Sequence, residues 1–98
     1  MKLFISYTMR DVEISIEFLE LLYKKMREIG FVFIDILHND SQEKQARVIA
    51  ELESSDYVFL IETPRVYSSQ WVRYELERAS NLNIPIISLP YSQIVHLV

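Results

Sequence analysis

Four short runs of β-branched and aromatic residues, KLFIS (2–6), FVFIDI (31–36), DYVFLIE (56–62) and IPIISL (84–89), alternate along the chain with three segments of helical period. This βαβαβαβ alternation predicts a parallel sheet with helices on both faces. The strand runs are nearly continuously apolar, as strands covered on both sides should be. Pro85 suits only a strand start or an edge, which puts the fourth strand towards the rim. The first helix is expected over about 10–29, with Val12, Ile16, Leu19, Leu22, Tyr23, Met26 and Ile29 as its inward stripe and Glu13, Glu17, Glu20, Lys24, Arg27 and Glu28 opposite. Ile14, Phe18 and Leu21 widen the apolar arc, either to cover the flank of the sheet or to face a partner. Gly30, the only glycine, follows where a left-handed C-cap is wanted. In the polar loop LHNDSQE, Asp40 and Glu43 have capping-box spacing, ahead of a second helix that runs to about Leu52. The tail PYSQIVHLV reads as a fifth short strand that adds to the sheet or meets another chain.

The third helical segment, SSQWVRYELERAS (68–80), contains an anomaly. At roughly 100° per residue, Glu75 lies about 40° from Trp71, inside the apolar arc of Val72, Leu76, Ala79 and Leu82. Glu77 falls among Arg73, Ser80 and Asn81, on a solvated face. A buried carboxylate is costly without a partner, so Glu75 must be hydrogen-bonded, paired or protonated. In an open parallel sheet, ligands bind beyond the carboxyl ends of the strands. There the sequence places Ser6, Tyr7, Thr8 and Arg10 after strand one, Asp35, His38, Asn39 and Asp40 after strand two, and Thr63, Arg65, Tyr67, Ser68 and Ser69 after strand three. Glu75 points to the same rim. It is either an acid tuned for chemistry or a structural acid that accepts loop amides or pairs with Arg10, Arg47 or Arg65.

Composition narrows the chemistry. With 98 residues, half of them apolar, the chain is read as one domain, 1–98. Fourteen acidic against ten basic side chains give a net charge of −4, which argues against nucleic acid as a partner. There is no cysteine, and His38, read as a solvated loop residue, and His96 do not stand at metal-ligand spacing, so no metal site is expected. A single glycine cannot make a phosphate-binding glycine loop, which removes the P-loop and dinucleotide-fingerprint readings. No run approaches a membrane span or a signal core, and a cytoplasmic location without membrane contact is expected.

The segments LFISYTMRD, SSDYVFLIETPRVYSSQWVRYEL and IPIIS resemble the Toll/interleukin-1 receptor (TIR) domain, including its small bacterial members, over roughly residues 2 to 89. The most specific part is Ser69, Trp71, Glu75 and Leu76 in that order, after a strand and a Tyr-Ser turn. The resemblance implies a flavodoxin-like three-layer α/β fold with a four- to five-stranded parallel sheet, strand order 2-1-3-4. For the enzymatic members it implies NAD as a substrate rather than a cofactor, with Glu75 the residue needed to break the nicotinamide–ribose bond, in defence or signalling. Ser6, Tyr7, Asp35 and Trp71 match the nucleotide pocket. Water as the attacking group would give ADP-ribose, and an internal adenine nitrogen a cyclic product.

Two further readings stay open. YELERASNLNIPII also resembles nucleoside 2-deoxyribosyltransferases, in which a glutamate attacks the anomeric carbon of a nucleoside. Many TIR domains instead work without catalysis, through homotypic self-association or a partner protein, and Glu75 would then be structural. A phosphoacceptor receiver domain is rejected, because Ser6-Tyr7 and Thr63 stand where it needs acids.

Overall fold

A computed structural model describes all residues, 1–98. Four strands, β1 (Lys2–Ser6), β2 (Phe31–Phe33), β3 (Tyr57–Glu62) and β4 (Ile86–Pro90), form one parallel sheet in the order β2-β1-β3-β4. The helices are α1 (Ile16–Met26), the single turn α2 (Asp35–His38), α3 (Lys44–Glu53), α4 (Gln70–Asn81) and the single turn α5 (Tyr91–Ile94), with a 3-10 turn at Val66–Ser68. This is the flavodoxin-like three-layer arrangement. Strand side chains alternate between the two faces. Leu3, Ile5, Phe59 and Ile61 pack with Phe18, Leu19, Leu22 and Met26 of α1 and Ile94 of α5. Phe4 and Val58 pack with Val48 and Leu52 of α3 and Ala79 of α4, while Leu60 meets Val72. Ser6 follows Phe4 in the same alternation and therefore faces α4. No helix is long and apolar enough to cross a membrane.

Several local expectations are corrected. The first helix starts at Ile16 rather than near residue 10, because the Ser15 side chain caps it, accepting from Phe18 N at 3.1 Å. Its inward face is turned towards Phe18, and Ile14 and Phe18 are core residues, whereas Val12, Ile16, Leu21 and Ile29 are exposed. The second strand ends at Phe33, not Ile36, because side chains capture the backbone donors that a longer ladder would use. His38 Nδ1 accepts from Ile34 N at 2.9 Å and the Tyr7 hydroxyl accepts from Ile36 N at 3.0 Å. His38 is thus a half-buried fastening, set edge-on to Tyr23 at 4.6 Å, rather than a solvated loop residue. Burial, followed by the Arg47 charge, holds its pKa below the ordinary value.

Asp40 does not cap α3: Glu43 flanks the helix without a side-chain cap, and Asp40 meets Arg47 at 3.3 Å instead. The tail is not a fifth strand. Pro90 ends the β4 ladder, the chain turns into α5, and Ile94 is driven into the α1 core. β4 is an edge strand, as Pro85 requires, and the Pro85 carbonyl accepts from Val58 N at 2.9 Å.

Gly30 has an ordinary negative φ and is not a left-handed cap. Its role is close approach. A Cβ there would lie 2.3 Å from the Met1 carbonyl oxygen, the same atom that accepts from Phe31 N at 2.9 Å to start the β1–β2 pairing. Gly30→Ala should therefore push β2 away from β1 and cost about 1–3 kcal/mol, the scale of an overpacked interior. Urea unfolding would read this as a lowered midpoint, and an unchanged midpoint would contradict the close-approach account.

Candidate functional site

The site begins where β1 ends. Strand alternation turns Ser6 towards α4, and helical period turns Glu75 back towards the strand. Both side chains are buried, Glu75 with 5% of its surface exposed. The Ser6 hydroxyl donates to Glu75 Oε1 at 2.9 Å. The start of α4 is fixed by Ser69, whose hydroxyl accepts from Val72 N at 3.2 Å. That cap sets the phase in which Trp71 reaches the cavity and Val72, Glu75 and Ala79 turn inward. The Trp71 ring is partly exposed and stacks on Tyr74, centroids 5.2 Å apart and planes 14° apart.

Above Glu75 opens a cavity of about 440 Å³, within the size range of small-molecule sites. Tyr7, Asp35, Trp71 and Glu75 line it, and Ser6 holds Glu75 from behind. All five candidate residues named from the sequence are therefore in one place. The cavity also takes in Thr8, Asn39 and Ser69, all expected at this rim, and Met9, Ile36 and Lys44, which sequence reasoning missed. The signal for Ile36 and Lys44 would have been the early end of β2, since the α2 turn is what carries the following loop across the opening. Asn39 organises that loop: its side-chain amide donates to Asp35 Oδ1 at 2.7 Å and to the Lys44 carbonyl at 3.0 Å.

None of the arginines considered as partners reaches Glu75. Arg47 is engaged with Glu51 at 3.0 Å and Asp40 at 3.3 Å, and Arg10 and Arg65 form no ion pair. Without a cation, burial dominates and pushes the Glu75 pKa up from 4.5 to about 8. The Ser6 hydrogen bond opposes the shift, the Asp35 charge adds to it, and the Trp71 indole N–H opposes it more weakly. Burial likewise raises Tyr7 to about 12, against the bond from Ile36 N and with the help of Asp35 and Glu75. Tyr7 thus stays a neutral phenol that orders the α2 turn, while a pKa of about 8 leaves Glu75 mostly protonated at pH 7.

A larger cavity of about 780 Å³ lies along the outer edge of β2, between Arg27, Phe31 and Arg47. It holds no buried acid, and its charges are largely paired, Lys2 and Arg47 both with Glu51. It is also away from the carboxyl ends of the strands, so the smaller cavity is the better candidate for chemistry.

The raised pKa has a consequence for stability. An acid whose folded pKa exceeds its unfolded value binds its proton more tightly when folded, so stability falls as pH rises from about 4.5 to about 8 and then levels. Glu75→Gln keeps the shape of the protonated form and removes the ionisation. Relative to wild type it should gain stability progressively from pH 5 to pH 9, on the order of a few kcal/mol in total. Denaturant midpoints of both proteins at pH 5, 7 and 9 test this; a pH-independent difference would contradict it.

No protein-family model and no curated protein matches the chain. Among solved structures, the fold is similar to that of a 2-deoxyribosyltransferase from the psychrotolerant bacterium Bacillus psychrosaccharolyticus, described as a biocatalyst for nucleoside synthesis. The match has a TM-score of 0.69 and 16% sequence identity, and it covers 92% of this chain and 72% of that one. At that identity the likeness speaks for the architecture, a parallel α/β fold shared over nearly the whole chain.

Proposed function

We propose that the protein cleaves an N-glycosidic bond of a nucleoside-type substrate, with Glu75 acting at the anomeric carbon of the sugar. The observation that carries this reading is the buried Glu75 carboxyl, held by Ser6 at 2.9 Å and facing a cavity walled by Trp71 and Tyr7. As the C1′–N bond breaks, its electron pair leaves with the base and the sugar becomes oxocarbenium-like. A fixed carboxylate stabilises that charge or captures C1′ as a glycosyl ester. Water or the nitrogen of a second base then attacks C1′, releasing the carboxylate, and the proton of the incoming group balances the one taken up by the departing base. Flat apolar walls suit a base, and Asp35, an acceptor when ionised, suits sugar hydroxyls.

The similarity to a 2-deoxyribosyltransferase fold and the stretch YELERASNLNIPII favour a deoxynucleoside as substrate. The reading with NAD as substrate rests on the TIR-like order Ser69, Trp71, Glu75 and on the fact that these three residues line one cavity. Both readings place the same bond type over the same carboxyl and differ in the base released.

Incubation with 2′-deoxynucleosides and, separately, with NAD separates them. The expected result is release of the base from deoxynucleosides, reduced at least about a hundredfold in Glu75→Gln, the scale on which loss of an electrostatic group acts. Nicotinamide release from NAD alone would favour the TIR-like activity. Base release by Glu75→Gln at the wild-type rate would overturn the assignment of Glu75 in either case. Because the reaction needs the carboxylate, kcat/KM should rise with pH through an apparent pKa near 8. A profile flat from pH 6 to pH 9 would contradict an ionising Glu75.

A further inference from the structure

We infer that the substrate carries a phosphate on the 5′ position of its sugar, and that Lys44 is the residue that selects it. This deepens the N-glycosidic reading of the same cavity. Lys44 is the only cationic side chain lining the cavity. Its ammonium group is not spent on a carboxylate: it takes part in none of the ion pairs of the protein, which involve Lys2, Arg47 and Arg78. Its one hydrogen bond is to the Asn39 backbone carbonyl. The bond is reciprocated, because the Asn39 side-chain amide donates to the Lys44 carbonyl at 3.0 Å, and the same amide holds Asp35. Lysine and aspartate are therefore fastened to one asparagine, a cation and an acid at fixed positions on one wall. An exposed lysine without such a tether would lose side-chain entropy on every encounter with a ligand.

An ammonium group can only donate, so it requires an acceptor. A nucleoside offers hydroxyls, which the acids Asp35 and Glu75 serve, and base heteroatoms, for which Thr8 and Ser69 lie within the cavity. Lys44 is exposed, and an anion displaces its water better than these neutral acceptors do, since a bond in which both partners are charged is stronger than one with a neutral acceptor. The anion that nucleoside chemistry attaches next to the sugar is the 5′-phosphate. With one donor of Lys44 committed to Asn39, two remain for phosphate oxygens. Asp35 and Trp71 line the same cavity as Lys44 and Glu75, so a base, a sugar and a phosphate would each find a matching surface within one opening.

Calorimetric titration of the Glu75→Gln protein, which leaves the glycosidic bond uncut, with 2′-deoxyadenosine and with 2′-deoxyadenosine 5′-monophosphate tests the inference. The monophosphate should bind at least about tenfold more tightly, the worth of one charge-assisted contact. Adding Lys44→Gln should collapse that ratio towards one, and Lys44→Arg should restore most of it. A merely structural Lys44 would weaken both ligands together and leave the ratio in place, which overturns the inference. Equal affinities in the Lys44 protein, or no binding of the monophosphate, also overturn it. The outcome is independent of the catalytic reading, which fails instead if wild type releases no base from deoxynucleosides, from their 5′-monophosphates or from NAD.

Discussion

The organisation of this protein turns on one carboxyl group taken out of water with no cation beside it. Glu75 is buried against Ser6, and the bond between them ties the carboxyl end of β1 to the face of α4. The charged form is disfavoured there by burial, and the Ser6 hydroxyl offsets only part of that cost. Replacing Glu75 with an apolar side chain would suit the core better, as it does at Val72 and Ala79 on the same face. A position that sacrifices folding stability at the rim of a cavity is where a chemical role is expected.

The surrounding fold supplies what such a group needs. The parallel sheet delivers Ser6 and Tyr7 to the same rim at the end of β1, and the Ser69 cap fixes the rotation of α4. Tyr7 and His38 together hold the α2 turn by accepting its leading backbone donors, and this turn brings Asp35 and Asn39 over the opening. Asp11 ties the loop after β1 to the loop after β3, accepting from Arg65 N at 2.9 Å. The Ser6–Glu75, Tyr7–Ile36 and Asp11–Arg65 contacts join segments far apart in sequence, so the cavity is braced by tertiary hydrogen bonds as well as by the local bonds of the α2 turn and the α4 cap.

What was legible in the sequence followed from periodicity. The inward direction of Glu75 follows from the 3.6-residue repeat, and the rim at which Ser6, Tyr7, Asp35 and Glu75 gather follows from the rule for parallel sheets, while the bond between Ser6 and Glu75 had no local signal. The features that were not legible are those decided by contacts distant in sequence. No local pattern announces that Tyr7 will end β2 by bonding Ile36 N, and the apolar run FVFIDI reads as strand throughout. Gly30 stands at a helix end, where a cap is the local expectation, yet its lack of a side chain answers the Met1 carbonyl 29 residues earlier in the chain. The tail carries enough apolar residues for a strand, but Pro90 turns the chain into α5 and Ile94 packs into the core against α1 instead. Lys44 lay unnoticed because it begins a helix that the sequence starts earlier.

The most direct test of the account is the ionisation of Glu75 itself, followed by the carboxyl carbon resonance of glutamate-labelled protein from pH 4 to pH 10. One resonance, absent from Glu75→Gln, should titrate with a midpoint near 8, well above the other glutamates. A Glu75 midpoint near 4.5 would mean that the carboxylate is fully accommodated in its folded surroundings, and the claim that burial without a cation tunes this acid would be wrong.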